Sequence, residues 1–327
     1  MTAPLYLAAW LAPLAPLLAR PDITDLWINA PGEAWTETLS GEIARHAVPG
    51  LDEAWLWRLA HQIASLSHQG ISRAHPLLAA TLPDGARVQI VAPPATRGAM
   101  AIAIRRHVMP DLTLSDLLAG GGLAETAITH GPPPPRRLHP PAETTPATAA
   151  ALLTDLVRRR RNILISGGTA TGKTTLLNAL LKEIPPDERL ILIEDTPELR
   201  LIHANAVGLI AVRGTLGEAA VTADDLLQAS LRMRPDRIIL GEVRGAEAMA
   251  FLRAVNTGHP GSITTIHADS PEGAIEQLAL IALQSGLPLR RADVVSYVLG
   301  VIDAIVQVER HEGRRRIARI ALIAPTD

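Results

Sequence analysis

The eight residues Gly167-Gly168-Thr169-Ala170-Thr171-Gly172-Lys173-Thr174 fit the pattern G-x-x-x-x-G-K-[ST] of a phosphate-binding loop. Glycines at these spacings let successive backbone N–H groups turn toward one point, and a helix starting there adds the positive end of its dipole. In that arrangement Lys173 reaches the β- and γ-phosphates of a nucleotide, the hydroxyl of Thr174 holds Mg2+, and Thr175 continues the loop into a helix. The flanks agree: the apolar run Asn162 to Ser166 reads as a buried strand and Thr175 to Lys182 as a helix.

Three further segments carry groups that could act on a bound triphosphate. The apolar strand Arg237-Ile238-Ile239-Leu240 runs into Gly241-Glu242, which delivers a carboxylate able to polarise an attacking water and to share in hydrating Mg2+. The strand Leu190 to Ile193 ends in Glu194-Asp195-Thr196-Pro197-Glu198, a second acidic cluster. Its carboxylates suit Mg2+ through water or a basic residue from a neighbouring subunit, and Asp195 or Thr196 ahead of Pro197 also suits a helix cap. The segment from Gly258 to Ala268 sets His259 before a strand and His267 at its end, where an imidazole can hydrogen-bond a γ-phosphate and report its loss. No cysteine accompanies these histidines, so zinc is not expected. Arg105, Arg106, Arg213, Arg232, Arg234 and Arg244 are candidates for neutralising transition-state charge. Arg158–Arg161 read as the basic end of a helix from Ala149 to Val157, and Arg314–Arg316 as a solvated turn between two C-terminal strands.

Apolar runs at Ile163–Ile165, Leu190–Ile193, Ile238–Leu240 and Ile263–Ile266 alternate with helical patterns, which predicts a largely parallel sheet with ligands at the carboxyl ends of its strands. The chain before it reads as a smaller α/β part. Asp25 to Asn29 reads as a strand, Leu51 to Ser67 as an amphipathic helix, Arg87 to Ala92 and Met100 to Arg106 as paired strands, and Leu112 to Leu118 as a short helix. Glycine and proline crowd the segment between the two parts. The expected organisation is an N-terminal α/β domain over 1–120, a Gly/Pro-rich linker over 121–146 and a nucleotide-binding domain over 147–327.

With 327 residues and a formal net charge of −2, the chain has no global pull toward nucleic acid or anionic lipid. Aromatic residues make up 2% of it, which leaves few platforms for stacking single strands, so stable nucleic-acid binding is not expected. Absence of cysteine fits a reducing compartment, and a cytoplasmic protein is the expectation. The apolar start, Leu5 to Ala19, contains Pro13 and Pro16 and is shorter than the ~20 residues that span a bilayer, so it reads as a helix packed on its own domain.

Taken in order, these segments resemble the secretion ATPase superfamily, the ring motors of type II secretion, type IV secretion and type IV pili. Ser230 to Glu247 and Asn256 to Pro271 are most similar to the type IV secretion and conjugative DNA-transfer branch. The resemblance is weaker in the N-terminal part, at Asp22 to Asn29 and Ile104-Arg105-Arg106. It covers four boxes: the loop Gly167–Thr175, the acidic box Glu194–Glu198, the strand ending at Glu242, and the box reaching His267. It implies a recombinase-like P-loop ATPase domain, a homohexameric ring, and Mg-ATP held between the two domains, with Arg213 among the nucleotide contacts. It further implies that an N-terminal-domain arginine, matched best by Arg105, approaches the phosphates, and that the linker acts as a hinge. The partners it implies are inner-membrane components of a secretion or conjugation apparatus, with peripheral membrane association. Type II motors usually carry a four-cysteine zinc insertion, which is missing here. A helicase-like ring ATPase acting on nucleic acid and a pilus retraction or assembly motor are the alternative readings.

Overall fold

A computed structural model describes residues 5–106, 136–139, 146–212, 220–311 and 314–325. Two sheets organise it. The first has six antiparallel strands: β1 (Ile23–Ile28), β2 (Glu33–Thr38), β3 (Ile43–Ala47), β4 (Leu77–Thr81), β5 (Arg87–Val91) and β6 (Ala101–Arg105), in the order β3-β2-β1-β6-β5-β4. The second has eight strands: β7 (Arg136–His139), β8 (Ile163–Ser166), β9 (Leu190–Glu194), β10 (Ala206–Ile210), β11 (Arg237–Leu240), β12 (Ile263–Ile266), β13 (Ala304–His311) and β14 (Arg314–Pro325), in the order β10-β9-β11-β12-β8-β13-β14-β7. From β10 to β13 every neighbouring pair in that order is parallel; only β14 and β7 run antiparallel to their neighbours. The α/β class and the mostly parallel sheet are as expected.

Alternation along the parallel strands splits their side chains between two cores. Leu164, Ile191, Ile193, Ile238, Leu240 and Ile266 join one buried cluster, while Ile163, Ile165, Leu190, Leu192, Ile239 and Ile263 join another on the opposite face. Both faces are covered, so these strands are apolar without interruption. Helices α4 (Pro146–Arg158) and α5 (Lys173–Leu181) cover the second face. Helices α6 (Ala223–Ser230), α7 (Glu247–Asn256), α8 (Pro271–Leu283) and α9 (Arg291–Val301) cover the first. Their starts are written locally. Thr222 and Asp225 form a capping box on α6, and Ser270 accepts the Gly273 N–H at 3.0 Å ahead of Pro271 on α8.

The six-stranded sheet also has two buried faces. Leu26, Ile28, Ile102 and Ile104 pack under α3 (Glu53–Leu66) and the apolar N-terminal segment, which is α1 (Leu5–Leu11), a 3-10 turn (Ala12–Leu14) and α2 (Ala15–Leu18). Pro13 and Pro16 break that segment, and Leu7 and Leu14 are buried, so it lies on its own sheet as expected. No helix among the described residues is long and apolar enough to cross a membrane. Trp27, Val91, Ala101 and Ala103 point the other way, into the core beneath the parallel sheet. The two sheets are stitched further at the free edge of β10: Thr96 bridges Leu209, Arg97 N–H donates to Gly208 O at 3.0 Å, and Ile210 N–H donates to Ala95 O at 3.0 Å.

Several expectations need correction. Strands β2, β3 and β4 had no separate reading from sequence. Residues 136–139, inside the segment read as an extended linker, form a strand at the edge of the second sheet. Pro146, the last residue of that segment, opens α4; the segment's other residues, the short helix expected over Leu112–Leu118, and Arg213 lie outside the described residues. The basic run after α4 does more than balance a helix dipole: Arg160 turns the chain with φ 53° and lies 3.4 Å from Glu188, and Arg161 lies 3.6 Å from Asp303.

Candidate active site

Strand β8 leaves the sheet between β12 and β13, and the residues that follow it curl into the phosphate-loop conformation. Gly167 is needed for space: a Cβ there would lie 2.5 Å from Val308 O and 2.6 Å from Thr171 Oγ1. Gly172 is needed for conformation, with φ 101°, and α5 begins at the next residue. Thr171 Oγ1 donates to Gly168 O at 2.9 Å and closes the loop on itself. The Lys173 ammonium donates to Gly167 O and Gly168 O, both at 2.9 Å, so the loop holds its own lysine in place. Burial pushes the Lys173 pKa below its ordinary value, with Glu242 pulling the other way.

His267, just past the end of β12, brings the boxes together. Its Nδ1 lies 3.2 Å from Lys173 Nζ and its Nε2 lies 2.7 Å from Glu242 Oε1. A neutral imidazole lets Nδ1 accept from the ammonium, while Nε2 and Glu242 Oε1 are in close contact without forming an aligned hydrogen bond. Glu242 is also bonded by the Arg244 guanidinium, which reaches on to Asp195 at 3.5 Å. The turn carrying Glu242 is fixed to its neighbours. Thr265 Oγ1 donates to Gly241 O at 2.8 Å, Val243 N–H donates to Thr265 O at 2.9 Å, and the buried Glu247 carboxylate accepts the Arg244 and Gly245 N–H groups at 2.7 and 2.8 Å. The Gly-Glu ending has a steric reason, since a Cβ at Gly241 would lie 3.1 Å from Glu194 Cγ.

A cleft of about 360 Å3 runs over Thr169 to Thr175 and is also lined by Glu198, Glu242, Arg244, Thr265, His267 and Arg315. A smaller cleft beside it joins Thr174 and Glu242 to Glu194, Asp195 and Glu198. Thr174, Asp195, Glu198 and Glu242 bring hydroxyl and carboxylate oxygens to this junction, donors that suit Mg2+ holding several waters; no three acidic or histidine side chains among the described residues are grouped to hold an ion by themselves. The acidic box is held by its own first residue. Glu194 Oε1 accepts the Glu198 and Leu199 N–H groups at 2.8 and 2.7 Å, and Oε2 pairs with the Arg97 guanidinium. No helix starts after Glu194, so the helix-cap reading of Asp195 and Thr196 is wrong; the carboxylate of Glu194 orders the turn instead.

The arginines separate. Arg244 is in the site. Arg105 stands at the end of β6 in a different cleft, with Asp25, Glu37, Arg106 and Arg234, and within this chain it is not brought to the loop. Arg234 pairs with Glu37 at 2.9 Å, Arg106 donates to Arg20 O at 2.5 Å, and Arg232 lines a surface cleft beside Arg105. The N-terminal-part arginine that does reach the boxes is Arg97, which also donates to Leu199 O at 2.6 Å. Sequence reasoning missed it; the only local signal is its place just after the Pro93-Pro94 turn. Arg315 was missed as well. It belongs to β14, not to a solvated turn, and its Nε donates to Ala170 O at 3.2 Å. His259 lies at the opposite end of β12 from His267, with Nδ1 2.9 Å from Pro235 O.

A family model described as type II/IV secretion system protein matches residues 139–316. The chain is 37% identical to the type IV secretion system protein VirB11 of Bartonella henselae, over 95% of this chain and 91% of that protein. It is 40% identical to the type IV secretion system protein PtlH of Bordetella pertussis, over 94% of this chain and 92% of that protein. The crystal structure of the VirB11 ATPase from the Brucella suis type IV secretion system, in complex with sulphate, superposes with a TM-score of 0.84 at 36% identity and covers 96% of each chain. The chain therefore belongs to the type II/IV secretion system protein family.

Proposed function

We propose, proceeding from that membership, that the cleft over the phosphate loop splits ATP to ADP and phosphate, and that the protein is the ATPase motor of a type IV secretion or conjugative transfer apparatus. The observation that carries the chemistry is the contact chain from Lys173 through His267 to Glu242, which ties three boxes distant in sequence into one pocket.

In this reading the loop amides and Lys173 bind the β- and γ-phosphates. Glu242 accepts a hydrogen bond from the attacking water and orients it in line with the bond to be broken. Arg244, already bonded to Glu242, offsets the charge that spreads over the transferred phosphoryl group. His267 touches both the ammonium and the carboxylate, so a γ-phosphate entering between them displaces these contacts and its departure restores them. Thr174 and, through water, Glu242 would hold Mg2+, which supplies positive charge beside the β- and γ-phosphate oxygens. Glu194 and Glu198 shape the adjoining wall. Catalysis is then mainly positioning and charge neutralisation.

The same reading places Arg105 on the outer surface of the N-terminal part, where it can meet a neighbouring copy's nucleotide in a ring. A homohexamer docked on inner-membrane components at the cytoplasmic face is the assembly we propose. The test is phosphate release by the purified protein and by Glu242→Gln, with size measured in the presence and absence of Mg-ATP. Glu242→Gln should bind ATP and turn it over poorly. Unchanged turnover in that variant removes Glu242 from the mechanism, and a protein that stays monomeric with ATP removes the ring.

A further inference from the structure

Strand order gives the bound nucleotide a direction. The groups that act on the terminal phosphate, Glu242 after β11 and His267 after β12, lie on one side of β8. On the other side of β8 come β13 and β14. A triphosphate laid across the loop with its γ-phosphate toward β12 and β11 must carry its nucleoside toward the β13–β14 hairpin.

Arg315 stands on that hairpin. It pairs across the ladder with Arg310, and its neighbour Arg316 is bonded to Glu309 at 2.6 Å. Successive side chains on a strand point to opposite faces, and Arg315 takes the face toward the loop. Its Cδ would lie 3.2 Å from a Cβ at Gly172, so its stem lies over the left-handed residue that opens α5. Its Nε donates to Ala170 O at 3.2 Å, and it lines the same cleft as Lys173, Thr174 and His267. The residue is exposed, and no carboxylate pairs with it among the described residues. A planar cation that lines the cleft and is fixed at one nitrogen is equipped to bond an α-phosphate and to stack on a base.

We propose that Arg315 is a nucleotide-binding residue that holds the nucleoside and α-phosphate end of the substrate, the half that Lys173, His267 and Glu242 do not reach. This rests on the ATPase reading and adds a contact from the opposite edge of the sheet. Calorimetric titration of the full chain and of Arg315→Ala and Arg315→Lys, with ADP and separately with pyrophosphate, which has neither a nucleoside nor a third phosphate, tests it. Thermal melting should show both variants folded like wild type, because the side chain is on the surface.

The expected result for Arg315→Ala is an ADP affinity about tenfold weaker, the size of one lost charge-assisted hydrogen bond, with pyrophosphate binding within about twofold of wild type. Arg315→Lys should fall between. Equal ADP affinity in wild type and Arg315→Ala overturns the proposal. So does an equal loss for ADP and pyrophosphate, which would mean that Arg315 only braces the loop. A wild-type protein that binds neither ligand defeats the ATPase reading itself, and the wild-type titration separates that failure from the other two.

Discussion

Arg237 and Arg189, at the amino ends of two parallel strands, are buried among fixed partners, whereas His267 and Arg244, at the carboxyl ends, are accessible and meet at one carboxylate. Arg237 at the start of β11 is 0% exposed and bonds both oxygens of Glu188 at 2.6 and 2.8 Å, together with Val157 O at 2.8 Å. Arg189, ahead of β9, is fully buried. It stacks 4.5 Å from the Trp27 ring and bonds Asn29, Asn205 and Met233 O, and burial pushes its pKa down to about 9. At the other end the His267 side chain is 46% exposed and that of Arg244 is 52% exposed. One carboxylate there, Glu242, meets both the Arg244 guanidinium and the His267 imidazole. A buried ion with one fixed partner set locks strands together, because any alternative leaves an unpaired charge in a poor solvent. An accessible ion with shared partners can exchange one of them for a ligand. The same arginine–glutamate chemistry is a staple at one end and, in the proposed reading, a working site at the other, and access of solvent is what differs between them.

The largest effect that would separate the two ends is on turnover. Glu242→Gln should lower the rate of phosphate release by about 10²- to 10⁴-fold while leaving the midpoint of chemical denaturation unchanged. A shifted midpoint would mean that the carboxyl end is also structural. Next, Arg237→Ala should cost about 3 kcal/mol of stability, because the buried Glu188 loses its two-point partner and keeps only Arg160 at 3.4 Å, while the protein that remains folded keeps its turnover. Replacing both members, Arg237→Met with Glu188→Leu, should recover most of that loss; failure to recover would show that the pair has a role beyond stapling. Both are read from urea titrations beside phosphate-release assays.

Arg97 blurs the contrast and so sharpens it. It sits at the carboxyl end but is largely buried and paired with Glu194, as an amino-end residue would be. Arg97→Ala should reduce stability by about 1–3 kcal/mol and reduce turnover less than Glu242→Gln does, since it both anchors the N-terminal sheet and orders the acidic box. A variant that loses only one of these properties would assign Arg97 to one end.

The smallest effect is a pH dependence at the amino end. Burial lowers the His259 pKa, with Arg234 adding to the shift and the Pro235 carbonyl and Asp236 opposing it. The unfolded chain, with an ordinary imidazole pKa of about 6.5, then binds a proton that the folded protein resists, so stability is lost as pH falls through that range. His259→Gln should flatten this loss between about pH 7 and pH 5. An identical slope in the variant would place the acid sensitivity elsewhere.

The chemistry of the loop was legible because it is local. Glycines, lysine and threonine within eight residues fix a backbone shape and a set of donors with no help from the rest of the chain. The buried strands β8, β9, β11 and β12 were legible as apolar runs, and α3 as an amphipathic pattern. The short strands β2 to β4 were not, because a sheet that buries part of each face leaves mixed patterns such as the burial of β3, none of whose residues is fully buried. The roles of arginines were the least legible. Arg105, next to a matching motif, lies in a separate cleft, while Arg97 and Arg315, which carry no motif, touch the boxes.

The sequence by itself determined which groups are available for the proposed binding and splitting of a triphosphate, and where along the chain each one falls. Only the tertiary structure decided which of them meet. Strands β9, β11, β12 and β8 lie side by side in an order the chain does not follow, so residues 167 and 267 become neighbours across a ladder. That order comes from burying both faces of a parallel sheet with crossover helices, a condition on the whole chain that no single segment encodes.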